Sequence, residues 1–154
     1  MTGSRQRKGN PKNDEFYTPK YIFDAFNCEF DVDVASPIIN ETNVPAKIKF
    51  TSKENGLIQE WKGFVCMNPP FSKAEPWVDK FIQHSHGIAL LPTSKAKWFY
   101  RLWHSNVSFV LLPSNFKFDK PDKLRSDIFM PTMLVGIGQY ANQILLNSGL
   151  GKVR

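Results

Sequence analysis

The residues best equipped for chemistry stand together in Met67-Asn68-Pro69-Pro70-Phe71. The Asn68 amide can both donate and accept hydrogen bonds, and the Asn68 and Pro69 carbonyls can point out of a sheet ladder. Phe71 adds a flat apolar face. Two consecutive prolines continue neither a central strand nor a helix interior, so the chain must leave the sheet here in a rigid, extended turn. An amide, a main-chain carbonyl and a ring in fixed relative positions suit a planar substrate that carries an amino group. A plain loop ahead of a helix N-terminus is the structural alternative. The position of the motif, directly after the apolar run Gly63-Phe64-Val65-Cys66, favours the functional one.

A second chemical feature is the alternating stretch Phe30-Asp31-Val32-Asp33-Val34-Ala35-Ser36-Pro37. Strict alternation predicts a strand with Phe30, Val32 and Val34 on one face and Asp31 and Asp33 on the other. Carboxylates at a strand end in an α/β protein face the ligand crevice, where Asp33 could bind an ammonium or ribose hydroxyls; two exposed strand acids are the plainer alternative. Ahead of it, Thr18 reads as an N-cap and Pro19 as the first residue of a helix through Phe26. Its free N–H groups and positive dipole end, beside Tyr17 and Thr18, would suit a carboxylate.

The positioning elements follow from the rest of the chain. Lys47–Phe50 reads as a short strand, Asn55-Gly56 as a turn, and Leu57–Trp61 as a short amphipathic segment packed on the sheet. Glu75–His84 has a helical pattern with Trp77, Val78, Phe81 and Ile82 on one face. Gly87–Pro92 is a continuous apolar strand, followed by a helix over 95–103 with Thr93-Ser94 as its cap. Val107–Pro113 is another strand, residues 128–138 a last one, and Gln139–Leu146 a last helix. Strands alternating with helices, with motifs at strand ends, indicate an α/β sandwich with a mostly parallel sheet.

A chain of 154 residues is most simply one domain, able to bury roughly two thirds of its unfolded surface without disulfides. Residues 1–13 form a basic arm with neither acid nor apolar side chain beyond Met1, expected to be flexible, and 14–154 the domain. Cys28 and Cys66 sit in apolar stretches and read as buried, reduced thiols of a cytoplasmic protein. No apolar run reaches the roughly 18 residues that span a bilayer. A net charge of +6 favours a polyanion partner. The segment 114–127 interleaves Lys117, Lys120, Lys123 and Arg125 with Phe116, Phe118 and Leu124, which suits a nucleic-acid surface; an ordered Ω-type lid is the alternative. A Gly-x-Gly-x-x-Gly fingerprint, a P-loop, a nucleophile elbow and a third ligand to join His84 and His86 at a metal are all missing. The chemistry must rest on positioning.

Asn68-Pro69-Pro70-Phe71 resembles motif IV of amino-group methyltransferases. The ordered set is more specific: Tyr17-Thr18-Pro19, Phe30–Ala35, Gly56-Leu57 with Trp61-Lys62-Gly63, Asn68–Ser72 with Trp77, and Leu90-Leu91-Pro92 with Trp98-Phe99. It is similar to the phage-encoded DNA N-6-adenine methyltransferases of the Dam type over about residues 15–137. The resemblance implies a compact Rossmann-like methyltransferase fold, α/β, with a mostly parallel sheet and flanking helices. It implies S-adenosylmethionine as cofactor and double-stranded DNA, with a flipped adenine, as partner.

Carried over by position, Tyr17, Thr18, Pro19, Asp31, Asp33, Ala35, Ser36 and Asn68 border the cofactor, and Asn68, Pro69, Pro70 and Phe71 are catalytic. The usual Phe-x-Gly-x-Gly is replaced here by Asp-Val-Asp-Val-Ala. Arg5, Arg7, Lys8, Lys73, Lys95, Lys97, Lys117, Lys120, Lys123 and Arg125 are the DNA-contact candidates, with low sequence specificity expected. Cytosine N4, an RNA base or a protein glutamine are alternative amino targets, and a basic DNA-binding module without catalysis is the alternative of another class. No metal and no membrane association are expected.

Overall fold

Six short strands form among the described residues: β1 Phe30–Asp33, β2 Ala46–Lys49, β3 Val65–Met67, β4 Gly87–Pro92, β5 Val107–Leu111 and β6 Thr132–Ile137. The structure, a computed structural model, describes residues 17–38, 42–119 and 131–154. The whole basic arm, including Arg5, Arg7 and Lys8, and also Lys120, Lys123 and Arg125, therefore lie outside the described residues. The strands make one sheet in the order β2-β1-β3-β4-β6-β5. β2, β1, β3 and β4 are mutually parallel, whereas β6 runs against both β4 and β5. The expected parallel sheet thus becomes a mixed one at its far side. β6 returns beside β5, and antiparallel neighbours need no crossover helix between them.

Helices cover both faces. α1 (Lys20–Phe26) and α4 (Gln139–Ser148) share a core with Phe30, Phe64, Cys66, Ile88, Leu90 and Leu134. α2 (Glu75–His84) and α3 (Lys97–Trp103) share the other with Val65, Met67, Ala89, Leu91 and Val135. β3 and β4 therefore alternate between two buried layers, which explains why their sequences read as unbroken apolar runs. α2 buries Trp77, Val78 and Phe81, as its periodicity predicts.

β1 departs from strict alternation. Phe30 joins the α1/α4 layer, stacked on Phe64 at 5.1 Å, while Val32 and Val34 join the α2/α3 layer. The cause is local: the Asp31 and Val32 N–H groups both converge on the Phe64 carbonyl, at 2.8 and 3.4 Å, which rotates the strand between them. Consequently the two acids part company too.

Helix starts also differ from the expected ones. Pro19 is not the first residue of α1 but its cap, extended at φ −63° and ψ 150°, and it brings no side-chain capping bond, so Thr18 does not hold the cap position. α3 begins at Lys97 after an extended Ala96 rather than at residue 95. Ser94 accepts the Ala96 N–H at 3.0 Å and so braces the approach to the helix, not its first turn. Leu57–Trp61 forms irregular turns.

Candidate active site

From β1 the chain crosses to β2 on one side and later returns as β3 on the other. The carboxyl ends of β1 and β3 therefore border a topological switch point, the place where open α/β sheets form ligand crevices. Asp33 ends β1 and pairs with Cys66, and Asn68 follows β3 two residues beyond Cys66. Tertiary pairing thus brings the carboxylate and the amide motif, far apart in sequence, to one edge.

Asp33 is 3% exposed, the most deeply buried acid among the described residues. Its Oδ1 accepts the Ala35 N–H at 3.3 Å, and the Ser36 hydroxyl donates to the same carboxylate. Burial nevertheless dominates and pushes its pKa up to about 6. An ionised carboxylate has roughly four lone-pair sites, more than these two donors occupy. Ser36 is itself buried, and Ala35 is half-buried.

The motif leaves β3 as expected: Pro70 is extended at φ −62° and ψ 122°, and Phe71–Lys73 make one 3-10 turn before α2. Asn68 and Phe71 are half-buried and Pro69 is buried. Phe71 meets Phe118 edge to face at 5.9 Å, and Phe118 meets Phe116 at 4.9 Å. Phe118 is 4% exposed, which corrects the expectation of a ring presented by a surface loop. Next to it, Asp119 pairs with Tyr17 through two backbone bonds of 2.7 and 2.8 Å. The Tyr17-Thr18-Pro19 segment is thereby pinned beside the segment that packs on the motif. Thr18 is buried, and its carbonyl accepts the Asn43 side-chain N–H at 2.9 Å.

Asp31 is not brought to this edge. Its carboxylate accepts the Phe64 N–H at 2.8 Å and lies 3.6 Å from the Lys47 ammonium, interactions that hold its pKa below the usual range. Gly63, at φ 83°, passes so close that a Cβ there would stand 2.2 Å from Asp31 Oδ2. Asp31 therefore braces the entry to β3. Lys73 and Lys117 are exposed on either side of the Phe71–Phe118 contact in sequence, and Lys95 and Lys97 are exposed at the approach to α3.

Lys80 is a residue that sequence patterning gave no reason to select. From α2 its ammonium donates to the carbonyls of Leu57 (2.8 Å), Gly56 (3.4 Å) and Gln59, and it stands 5.1 Å from the Trp61 ring centre. Trp61 Nε1 also donates to the Gly56 carbonyl at 2.8 Å. Gly56 in turn lies against the Val34 carbonyl so closely that a Cβ would come within 2.0 Å. Lys80 thus holds a loop that backs the Asp33–Ser36 turn. In the predicted Asn-Gly turn it is Asn55 that is left-handed, at φ 60°, while Gly56 serves the close approach.

His84 Nε2 donates to the Gly63 carbonyl at 2.7 Å, and His86 packs against Phe64 and Tyr140. Among the described residues no three His, Cys, Asp or Glu side chains are placed to hold a metal, and no helix is long and apolar enough to cross a membrane. Both cysteines are free; burial raises the Cys28 thiol to about 11 and lifts the Cys66 thiol well above its ordinary value.

Residues 5–117 match the family model for DNA N-6-adenine-methyltransferase (Dam). The chain belongs to the Dam family. The match runs from the basic arm through β5 and includes Asp33 and Asn68–Phe71, stopping short of β6 and α4. Membership makes DNA adenine N6-methylation the general activity and DNA the substrate class of this Dam protein. No curated protein and no solved structure matches the chain.

Proposed function

We propose that the protein transfers the methyl group of S-adenosylmethionine to N6 of an adenine turned out of double-stranded DNA, at the crevice between the ends of β1 and β3. The observation that carries this reading is the placement of buried Asp33 and the Asn68–Phe71 motif on neighbouring strand ends at the switch point. Adenine is favoured over cytosine, RNA bases and protein glutamine by family membership.

The residues present fit the cofactor. Asp33 is a buried carboxylate with acceptor capacity beyond its Ala35 and Ser36 partners, and a ribose hydroxyl or an ammonium would supply further donors to offset the burial that raises its pKa. Thr18, Pro19, Ala35 and Ser36 complete that side of the crevice, with Tyr17 holding the segment in place. S-adenosylmethionine, when bound, supplies an electrophilic methyl group.

An adenine amine is a poor nucleophile because its lone pair is delocalised into the ring. Asn68 and Pro69 answer that difficulty: the Asn68 side-chain oxygen and the Pro69 carbonyl accept the two amine hydrogens, which favours a pyramidal nitrogen with a localised lone pair. The two prolines hold these acceptors without rearrangement, and such positioning is the main source of rate in group transfer. An amide is no base, so the proton departs to water. Phe71 stacks on the extruded base, offsetting part of the few kcal/mol that unstacking costs. Lys73, Lys95, Lys97 and Lys117 meet phosphates, contacts that carry no base information and accord with low sequence specificity.

The test is transfer of labelled methyl from S-adenosylmethionine into adenine-containing duplex DNA. Asn68→Ala should lower transfer at least about a hundredfold while calorimetry shows cofactor binding largely retained. Asn68→Asp, which keeps an acceptor, should retain measurable transfer. Wild-type turnover in Asn68→Ala would refute the assignment. Mapping methylated sites on random-sequence duplexes tests specificity, and restriction to one short site would overturn that part.

A further inference from the structure

A second surface lies one strand over from the motif. The segment following β4 and the exposed face of α3 enclose an open groove of about 370 Å³, lined by Ser94, Lys95, Ala96, Phe99, Tyr100 and Trp103. β4 neighbours β3 and runs parallel to it, so Ser94–Ala96 emerges from the same sheet edge as Asn68–Phe71. α3 buries Trp98 and Leu102 against the sheet but leaves Tyr100 67% and Trp103 54% exposed. Phe99 stacks on Trp103 at 6.4 Å, and Trp103 on Phe109 at 4.9 Å, with 28° between planes in both pairs. Trp103 is thus braced by two rings and still half open to solvent, with Tyr100 exposed beside it on the groove. Rings of this size left open beside an established core mark an interaction surface.

The charge around the groove selects the partner. No carboxylate lines it, Lys95 does, and Lys97 stands in the first turn of α3. The two acids of α2, Glu75 and Asp79, are held by Arg101 at 2.8 to 3.1 Å. Aromatic faces beside exposed ammonium groups match a nucleic-acid strand, whose bases stack and whose phosphates take the charge. We propose that this groove stacks unpaired bases of the DNA strand next to the target adenine, holding the strand open while the base is out of the duplex. The proposal rests on DNA being the substrate.

Tryptophan emission reads the groove directly. Trp61, Trp77 and Trp98 are 6, 9 and 7% exposed, so a base stacking on the surface can reach only Trp103 among the four. Titration of the full chain with a single-stranded thymidine oligomer, which offers no adenine to the active site, should quench emission. An abasic deoxyribose-phosphate oligomer of equal length should bind more weakly and leave emission unchanged, and Trp103→Phe should abolish the signal. Tyr100→Ala should weaken thymidine-oligomer binding about tenfold, with Tyr100→Trp restoring it; on duplex substrate the Ala variant should raise KM and leave kcat unaltered. Tyr100 is mostly solvent-exposed, so its variants keep the fold. Absent quenching, or equal affinity for the abasic oligomer, would overturn the proposal. Quenching without any methyl transfer to DNA would support the groove while sinking the methyltransferase reading. Transfer without quenching, and with unchanged KM in Tyr100→Ala, would sink the groove alone.

Discussion

Asp33→Asn separates the role of this carboxylate in stability from its role in binding. In the folded chain the carboxyl titrates at about 6 instead of 3.8, because burial outweighs the Ala35 and Ser36 hydrogen bonds and the Lys49 charge. At 3% exposure, solvent screening takes little from that difference. The native state holds its proton more tightly than the unfolded state, so the stability contribution is full below about pH 4 and is lost as pH rises through about 6. Above that window the ionised carboxylate costs about 3 kcal/mol. An asparagine keeps the shape and an acceptor for the Ala35 N–H, while its buried amide donors cost about 1 kcal/mol if left unsatisfied. The variant should therefore be about 2 kcal/mol more stable than wild type at about pH 7.5 and should have lost that advantage entirely by about pH 4. Urea unfolding of both proteins at the two pH values measures this. The same substitution should weaken S-adenosylmethionine binding in calorimetry, since the charged acceptor is gone. A stability gap identical at both pH values would refute the burial argument; unchanged cofactor affinity would refute the binding role.

Three further substitutions probe the frame around the crevice. Gly56→Ala places a Cβ 2.0 Å from the Val34 carbonyl, whose residue is itself bonded to Cys66, so withdrawal of the loop should cost about 3 kcal/mol, read as a lowered urea midpoint; a wild-type midpoint would show that the loop yields freely. Lys80→Met strips the shared donor from the Gly56, Leu57 and Gln59 carbonyls and should cost about 2 kcal/mol; a stability loss of zero would mean that water replaces the ammonium without penalty. Arg101→Ala removes the ion pairs to Glu75 and Asp79, but these groups are exposed, so the thermal unfolding midpoint should stay close to that of wild type, and a clear drop would show that the pairs brace α3 on α2.

Much of the chain could be read locally. The apolar runs at Val65–Met67 and Gly87–Pro92, the Trp77-Val78-Phe81 stripe and the double proline each carry their own structural meaning within a few residues, and the structure places strands, helix and extended turn there. The motif stands out for the same reason, since the chemistry proposed for it is contained in four consecutive side chains and carbonyls. The family was legible from ordered pieces along the chain, and its model matches residues 5–117.

What local reading missed was decided by partners distant in sequence. The roles of Asp31 and Asp33 diverge because two N–H groups of β1 converge on Phe64, thirty residues away and more, a bond geometry to which alternation is blind. Phe118 is a core ring because Phe71 and the Tyr17–Asp119 pairing close over it, not because of its basic neighbours. Lys80 is drawn to Gly56–Gln59 by carbonyls that only the folded loop gathers. The sequence by itself determined the strand-forming stretches, the rigid amide motif and the class of reaction. Tertiary structure decided which acid reaches the crevice and which rings remain outside, because register, burial and charge pairing are properties of neighbours in space.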